Sequence, residues 1–139
     1  MSNPDNVLGY TDRETVKLDM DSMKLSEVMK WAKLACSVYD LTGFMILESS
    51  KDSYHVLFDD TVAWSRNVSI MAGLALITKH TPYVTWALLQ CRKGCSTLRI
   101  SPKGEKPTPK IVYKWGNQSD EIPNYFKYKN MSLGELDRR

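Results

Sequence analysis

Between Thr15 and Cys36 the apolar residues change their spacing once, from two residues to between three and four. Val16, Leu18 and Met20 alternate with Lys17, Asp19 and Asp21, the period of a strand with one face buried. From Leu25 onward Val28, Met29, Ala32, Ala35 and Cys36 fall on one side of a helix. Ser22 is placed to cap that helix, and Asp40 to Gly43 reads as its exit turn. Each element has one apolar face to bury, and each can cover the other. That makes the chain α+β.

The rest of the chain extends this unit. Phe44 to Leu47 and Tyr54 to Phe58 are short apolar runs separated by Glu48-Ser49-Ser50-Lys51-Asp52-Ser53, the pattern of a hairpin. Asp59-Asp60-Thr61 offers caps for a second helix over Val62 to Lys79, with Val68, Met71, Ala72, Ala75 and Leu76 on one stripe. Thr81-Pro82 ends it, because proline disfavours helical geometry in the residue before it. Tyr83 to Gln90 is apolar but fits a strand or a helix. Thr97 to Ser101 and Lys110 to Trp115 read as strands around a loop holding Pro102, Gly104, Pro107 and Pro109. Glu121 to Lys129 reads as a final helix.

Strand, helix, strand, strand, helix, strand is the order of a ferredoxin-like or RRM-like β-α-β-β-α-β core. The expected sheet has helices on one face, an open second face and extra C-terminal strands. With 139 residues, one domain is expected over 14–129, after a polar lead-in, 1–13, and before a mobile tail, 130–139. No window reaches the roughly 18 apolar residues of a membrane span, and the start lacks the pattern of a signal peptide. A cytoplasmic protein without membrane partners is the expectation. Its Cys36, Cys91 and Cys95 are then reduced thiols. Cys91 and Cys95, with His80 upstream, lack the four ligands and tight spacing of a zinc knuckle.

A net charge of +3 does not by itself imply a nucleic-acid partner. Its distribution is more informative. Arg92, Lys93, Arg99, Lys103, Lys106, Lys110 and Lys114 are opposed only by Glu105. That stretch is either a solubilising edge or a phosphate-binding face. On the second reading Arg92, Lys93 and Lys103 contact nucleic acid.

Three segments can carry chemistry. Asp19 and Asp21 share a strand face, and two repelling carboxylates favour a divalent cation such as Mg2+ or Mn2+. The plainer reading is a capping Asp21 with Asp19 at the sheet edge. His55 shares its face with Ser53 and Leu57, where it either contacts a phosphate or fills a structural role. Arg99 and Lys103 lie on or beside a late strand, where they can neutralise phosphates. A different reading is a non-enzymatic nucleic-acid-binding module. It would stack bases on Tyr54, Trp64, Trp86, Tyr113 and Trp115, unless those rings are core.

Together, Val16-Lys17-Leu18-Asp19-Met20-Asp21, Ser50-Lys51-Asp52-Ser53-Tyr54-His55-Val56 and Leu98-Arg99-Ile100-Ser101 resemble three motifs of the archaeo-eukaryotic primase superfamily. The resemblance implies a primase-like nucleotidyltransferase fold and a role in replication, on a mobile element such as a virus or plasmid. It implies that Asp19 and Asp21 are catalytic metal ligands for Mg2+ or Mn2+. It further implies that His55 is catalytic and touches the incoming nucleotide, alongside Ser50, Lys51, Ser53 and Arg99. The chain departs from the family at three places. Lys51 and Ser53 replace the glycines of the second motif. Tyr83 to Gln90, where a third acid is expected, has none, leaving Asp59 or Asp60 as substitutes. The chain is also short for a primase with an accessory domain. Nucleotide or metal binding is therefore expected ahead of polymerisation.

Overall fold

Two antiparallel sheets and four helices make up the computed structural model, which describes residues 7–129. Part of the expected lead-in, 1–6, and the whole expected tail, 130–139, lie outside the described residues. The strands are β1 Gly9–Asp12, β2 Thr15–Asp21, β3 Gly43–Ser50, β4 Ser53–Thr61, β5 Ser96–Arg99 and β6 Lys110–Gly116. The helices are α1 Leu25–Tyr39, α2 Trp64–Thr78, α3 Thr81–Lys93 and α4 Ile122–Lys129.

The period change produces β2 and α1 as the spacing predicts, with Val28, Ala32, Ala35 and Cys36 buried on α1. Ser22 does not cap that helix. It takes a left-handed φ of 54° at the end of β2, and the N-cap is Lys24, without a side-chain cap bond. The β3–β4 turn is closed by Asp52 at φ 55°. Strand β4 then runs on to Thr61, so Asp59 and Asp60 are strand residues and Ala63 is the N-cap of α2. Tyr83 to Gln90 is helical. Pro82 lies in the first turn of α3, where a missing amide hydrogen costs no hydrogen bond.

The main sheet has the order β2-β4-β3-β6 with every pair antiparallel. Strand β4 lies between β2 and β3, which are joined through α1, as in a split β-α-β unit. The strand expected at Thr97–Ser101 does not complete this sheet. It ends at Arg99 and pairs with β1, from Gly9↔Arg99 to Asp12↔Ser96. Lys17 accounts for the diversion. Its fully buried ammonium, on β2, bonds Asp12 Oδ1 at 2.6 Å and Ser96 Oγ at 3.0 Å, tying β1 and β5 across the face of β2.

One sheet face packs Leu18, Phe44, Ile46, Val56 and Phe58 against α1, α2 and α3. The other was expected to be open, and most of it is covered. Met45, Leu47 and Leu57 pack with Tyr10, Leu98, Ile100, Ile122 and Tyr125 from β1, β5 and α4. Asp59 fastens α4 in place. Its buried carboxylate accepts from Asn117 Nδ2 at 2.6 Å, Ser119 N at 3.0 Å, Asp120 N at 2.9 Å and Ile122 N at 2.7 Å. An anion ahead of the first turn also suits the helix dipole. What this cover leaves accessible is the end of the face that carries Asp21 and Ser53.

Candidate functional site

Strand register brings the acid pair and the histidine together. In the β2–β4 ladder Asp19 is directly opposite His55 and Asp21 opposite Ser53, while His55 faces Leu47 on its other side. Side chains on one face of such a pair are neighbours, and His55 Nε2 lies 3.9 Å from Asp19 Oδ1. Exposure rises along the row. His55 is 5% exposed, the Asp19 side chain 20%, and Asp21 is in solvent. The site has a buried floor and an acidic mouth.

Burial controls the charge of this pair. The Asp19 carboxyl is pushed up to about 7, first by burial, then by the charge of Asp21 and a hydrogen bond to it. Lys106 and Arg99 pull it the other way. His55 is pushed down to about 4, again by burial first, with Arg99 adding to the effect, Asp21 opposing it and Lys106 also lowering it. Near neutral pH the imidazole is therefore uncharged, and burial together with Asp21 favours the protonated form of Asp19. Asp19 Oδ1 and His55 Nδ1 are both buried without a hydrogen-bond partner among the described residues. Such atoms are rarely left unpaired.

Arg99 reaches the site in a role the sequence did not suggest. One terminal nitrogen donates to Ser49 O at 3.1 Å, and the other donates to Pro107 O at 2.9 Å and to Ser101 O. Its charge acts on Asp19 and His55, yet three of its N–H groups hold backbone. Ser50 pairs with Ser53 at the hairpin end. Lys51 is exposed on the turn, beside an open cleft of about 440 Å³ that it lines with Ser22, Lys24 and Asp52. Arg92 and Lys93 are exposed in the last turn of α3, where cations complement the helix end. Lys103 is exposed on the turn after β5. Lys106, whose charge is felt at both Asp19 and His55, was not singled out from the sequence. Only its place in a basic, proline-rich loop marked it.

The missing acid is not supplied by the candidates. Asp59 is engaged by the segment before α4, and Asp60 accepts from Thr42 N and Oγ1, each at 3.0 Å. The segment expected to carry the third acid is helix α3 rather than a strand. Among the described residues no three His, Cys, Asp or Glu side chains are arranged to hold a metal ion. Asp19 and Asp21 alone still suit Mg2+, which keeps several waters and is commonly held by one or two carboxylates plus phosphate oxygens.

The five aromatic rings do not form a stacking platform on this face. Tyr54, Trp64, Trp86 and Tyr113 pack into or against the helix-side core. Trp115 stacks on Phe44 of that same core, with ring centroids 5.4 Å apart. Alternation along β4 and β6 turns Tyr54, Tyr113 and Trp115 away from His55, while Trp64 and Trp86 belong to helices α2 and α3. A cavity of about 530 Å³ between β1 and α4, lined in part by Asp12, Asn124 and Lys127, includes none of Asp19, Asp21 and His55. The three cysteines are free. No described helix is long and apolar enough to cross a membrane. Compared with protein-family models, curated proteins and solved structures, the chain matches none of them.

Proposed function

We propose that this protein is a compact, primase-like nucleotide-binding protein of nucleic-acid replication. Its ligands would be a divalent cation, Mg2+ or Mn2+, and a nucleoside triphosphate, taken together at the accessible end of the β2–β4 face. The observation that carries the reading is the pairing of Asp19 with His55 across one ladder, with Asp21 beside them at the mouth. The split β-α-β arrangement of β2, α1, β3 and β4 supports the ferredoxin-like part of the reading.

Asp19 and Asp21 would hold the cation, and water and phosphate oxygens would complete its shell. The cation supplies neutralisation of the polyphosphate and of charge that develops when a phosphoryl oxygen is displaced. The chain's own groups bind and orient. His55 offers a neutral ring whose Nδ1 has no hydrogen-bond partner among the described residues, and Ser53 supplies a hydroxyl opposite Asp21. Because Asp59 and Asp60 are already engaged, cation and nucleotide binding is the proposed activity, ahead of primer synthesis. Arg92, Lys93 and Lys103 would contribute phosphate contacts to nucleic acid.

Manganese binding followed by electron paramagnetic resonance, with and without a nucleoside triphosphate, tests this. The reading predicts that the triphosphate tightens manganese binding to wild type. It also predicts that Asp19→Asn and Asp21→Asn each weaken that binding. Equal binding by wild type and both variants contradicts it.

A further inference from the structure

Asp21 is the less constrained half of the acid pair. Asp19 lies inside the β2–β4 ladder, whereas Asp21↔Ser53 is the last pair at this end, and strand ends open more readily than strand middles. The chain then leaves through Ser22 at φ 54°, a conformation that residues with a side chain rarely adopt. Met23 N secures the exit by donating to Asp52 O at 3.0 Å. Asp21 is also reached from outside the sheet. His80 Nε2 lies 2.5 Å from the Asp21 carbonyl oxygen. A carbonyl only accepts, so Nε2 carries the hydrogen of this bond. The backbone of His80 is itself fixed on both sides. Lys79 closes α2 with its N–H on Ala75 O at 3.1 Å, and His80 O accepts from Val84 N at 2.9 Å as the N-cap of α3. The imidazole therefore ties the end of β2 to the junction of two helices, 59 positions further along the chain.

We propose that His80 is a positioning residue of the cation site: its bond to the Asp21 carbonyl holds that residue where its carboxylate and that of Asp19 can share one divalent cation. This rests on the function proposed above and deepens it. A cation held by two carboxylates needs both in place at once. Order that the fold supplies beforehand is order the cation does not have to impose, and affinity rises accordingly. Asp19 receives that order from the ladder, and Asp21, at the strand end, receives it from His80. Such coupling is reciprocal. A cation bound at Asp21 should in turn steady His80 and the first turn of α3, where Val84 N bonds the His80 carbonyl.

Manganese titration of the full chain, joined to hydrogen exchange with and without Mg2+, tests the proposal. His80→Ala should weaken manganese binding by about fivefold, the net worth of one hydrogen bond. His80→Gln, whose amide N–H can reach the same carbonyl, should restore most of that loss. Mg2+ should slow exchange at the Val84 amide in wild type and in His80→Gln but not in His80→Ala. Wild-type manganese affinity in His80→Ala overturns the proposal, as does a loss in His80→Gln equal to that in His80→Ala. Should His80→Ala fail to fold, unchanged exchange at Val84 when Mg2+ is added to wild type overturns it without any variant. Weakened binding in Asp19→Asn and Asp21→Asn but not in His80→Ala removes the role of His80 and leaves the cation site standing. Wild-type binding in both asparagine variants removes the cation site, and the role of His80 with it.

Discussion

Replacing Asp19 by asparagine should make the metal-free protein more stable, and by an amount that depends on pH. The Asp19 carboxyl rises from an ordinary 3.8 to about 7 in the fold. Between those values the unfolded chain loses this proton while the native chain keeps it. Each pH unit there lowers stability by about 1.4 kcal/mol, so the full effect above pH 7 is about 4 kcal/mol. Asparagine carries no charge, so the variant escapes this loss. Its gain should be absent below pH 3.8, about 2 kcal/mol at pH 5 and about 4 kcal/mol at pH 8. Urea unfolding in a chelating buffer, followed by the fluorescence of the four tryptophans, reads the difference directly. A variant that is less stable than wild type at pH 8, or whose gain does not change with pH, would refute the argument that burial of a charge-prone acid strains this strand.

Three other outcomes follow from the same geometry. His55 is depressed from 6.5 to about 4, so it takes up a proton on unfolding. It therefore costs stability as pH falls through that window, about 3 kcal/mol in all, and His55→Gln should remove that slope in the same unfolding series. Asp59→Ala strips four donors of their shared acceptor and should cost about 3 kcal/mol or more. Hydrogen exchange should rise first in α4, and a variant of unchanged stability would contradict the anchoring role. Replacing Arg92, Lys93 and Lys103 together by alanine should weaken binding to single-stranded nucleic acid and flatten its salt dependence. An unchanged slope in a salt titration would assign them to solubility.

Elements built from local pattern were legible in the sequence. Alternation from Val16 to Asp21 gives β2, and the 3.6-residue stripe from Leu25 to Cys36 gives α1. The two runs around Ser50 to Ser53 give the β3–β4 hairpin. Parity puts Asp19 with Asp21 on one face of β2 and Ser53 with His55 on one face of β4, and the register, which parity does not give, sets Asp19 against His55. What escaped was tertiary. Tyr10 meets Leu98, 88 positions further along the chain, a pairing that four residues of β1 do not announce. Tyr83 to Gln90 has an apolar content that suits either period, and only its packing makes it a helix. The cover over the expected open face depends on Lys17 and Asp59, whose roles lie in partners far away in sequence. The grip of Arg99 on the turn after β5 belongs to the same class.

The central claim is that Asp19 and Asp21 hold one cation while His55 borders the phosphates. A crystal structure of wild type grown with Mn2+ and a non-hydrolysable nucleoside triphosphate, with data at the manganese absorption edge, tests it most directly. The account predicts one anomalous peak within coordination distance of both carboxylates, with triphosphate oxygens completing the shell. Manganese and nucleotide bound elsewhere, with Asp19 still paired only with Asp21 and His55, would contradict it.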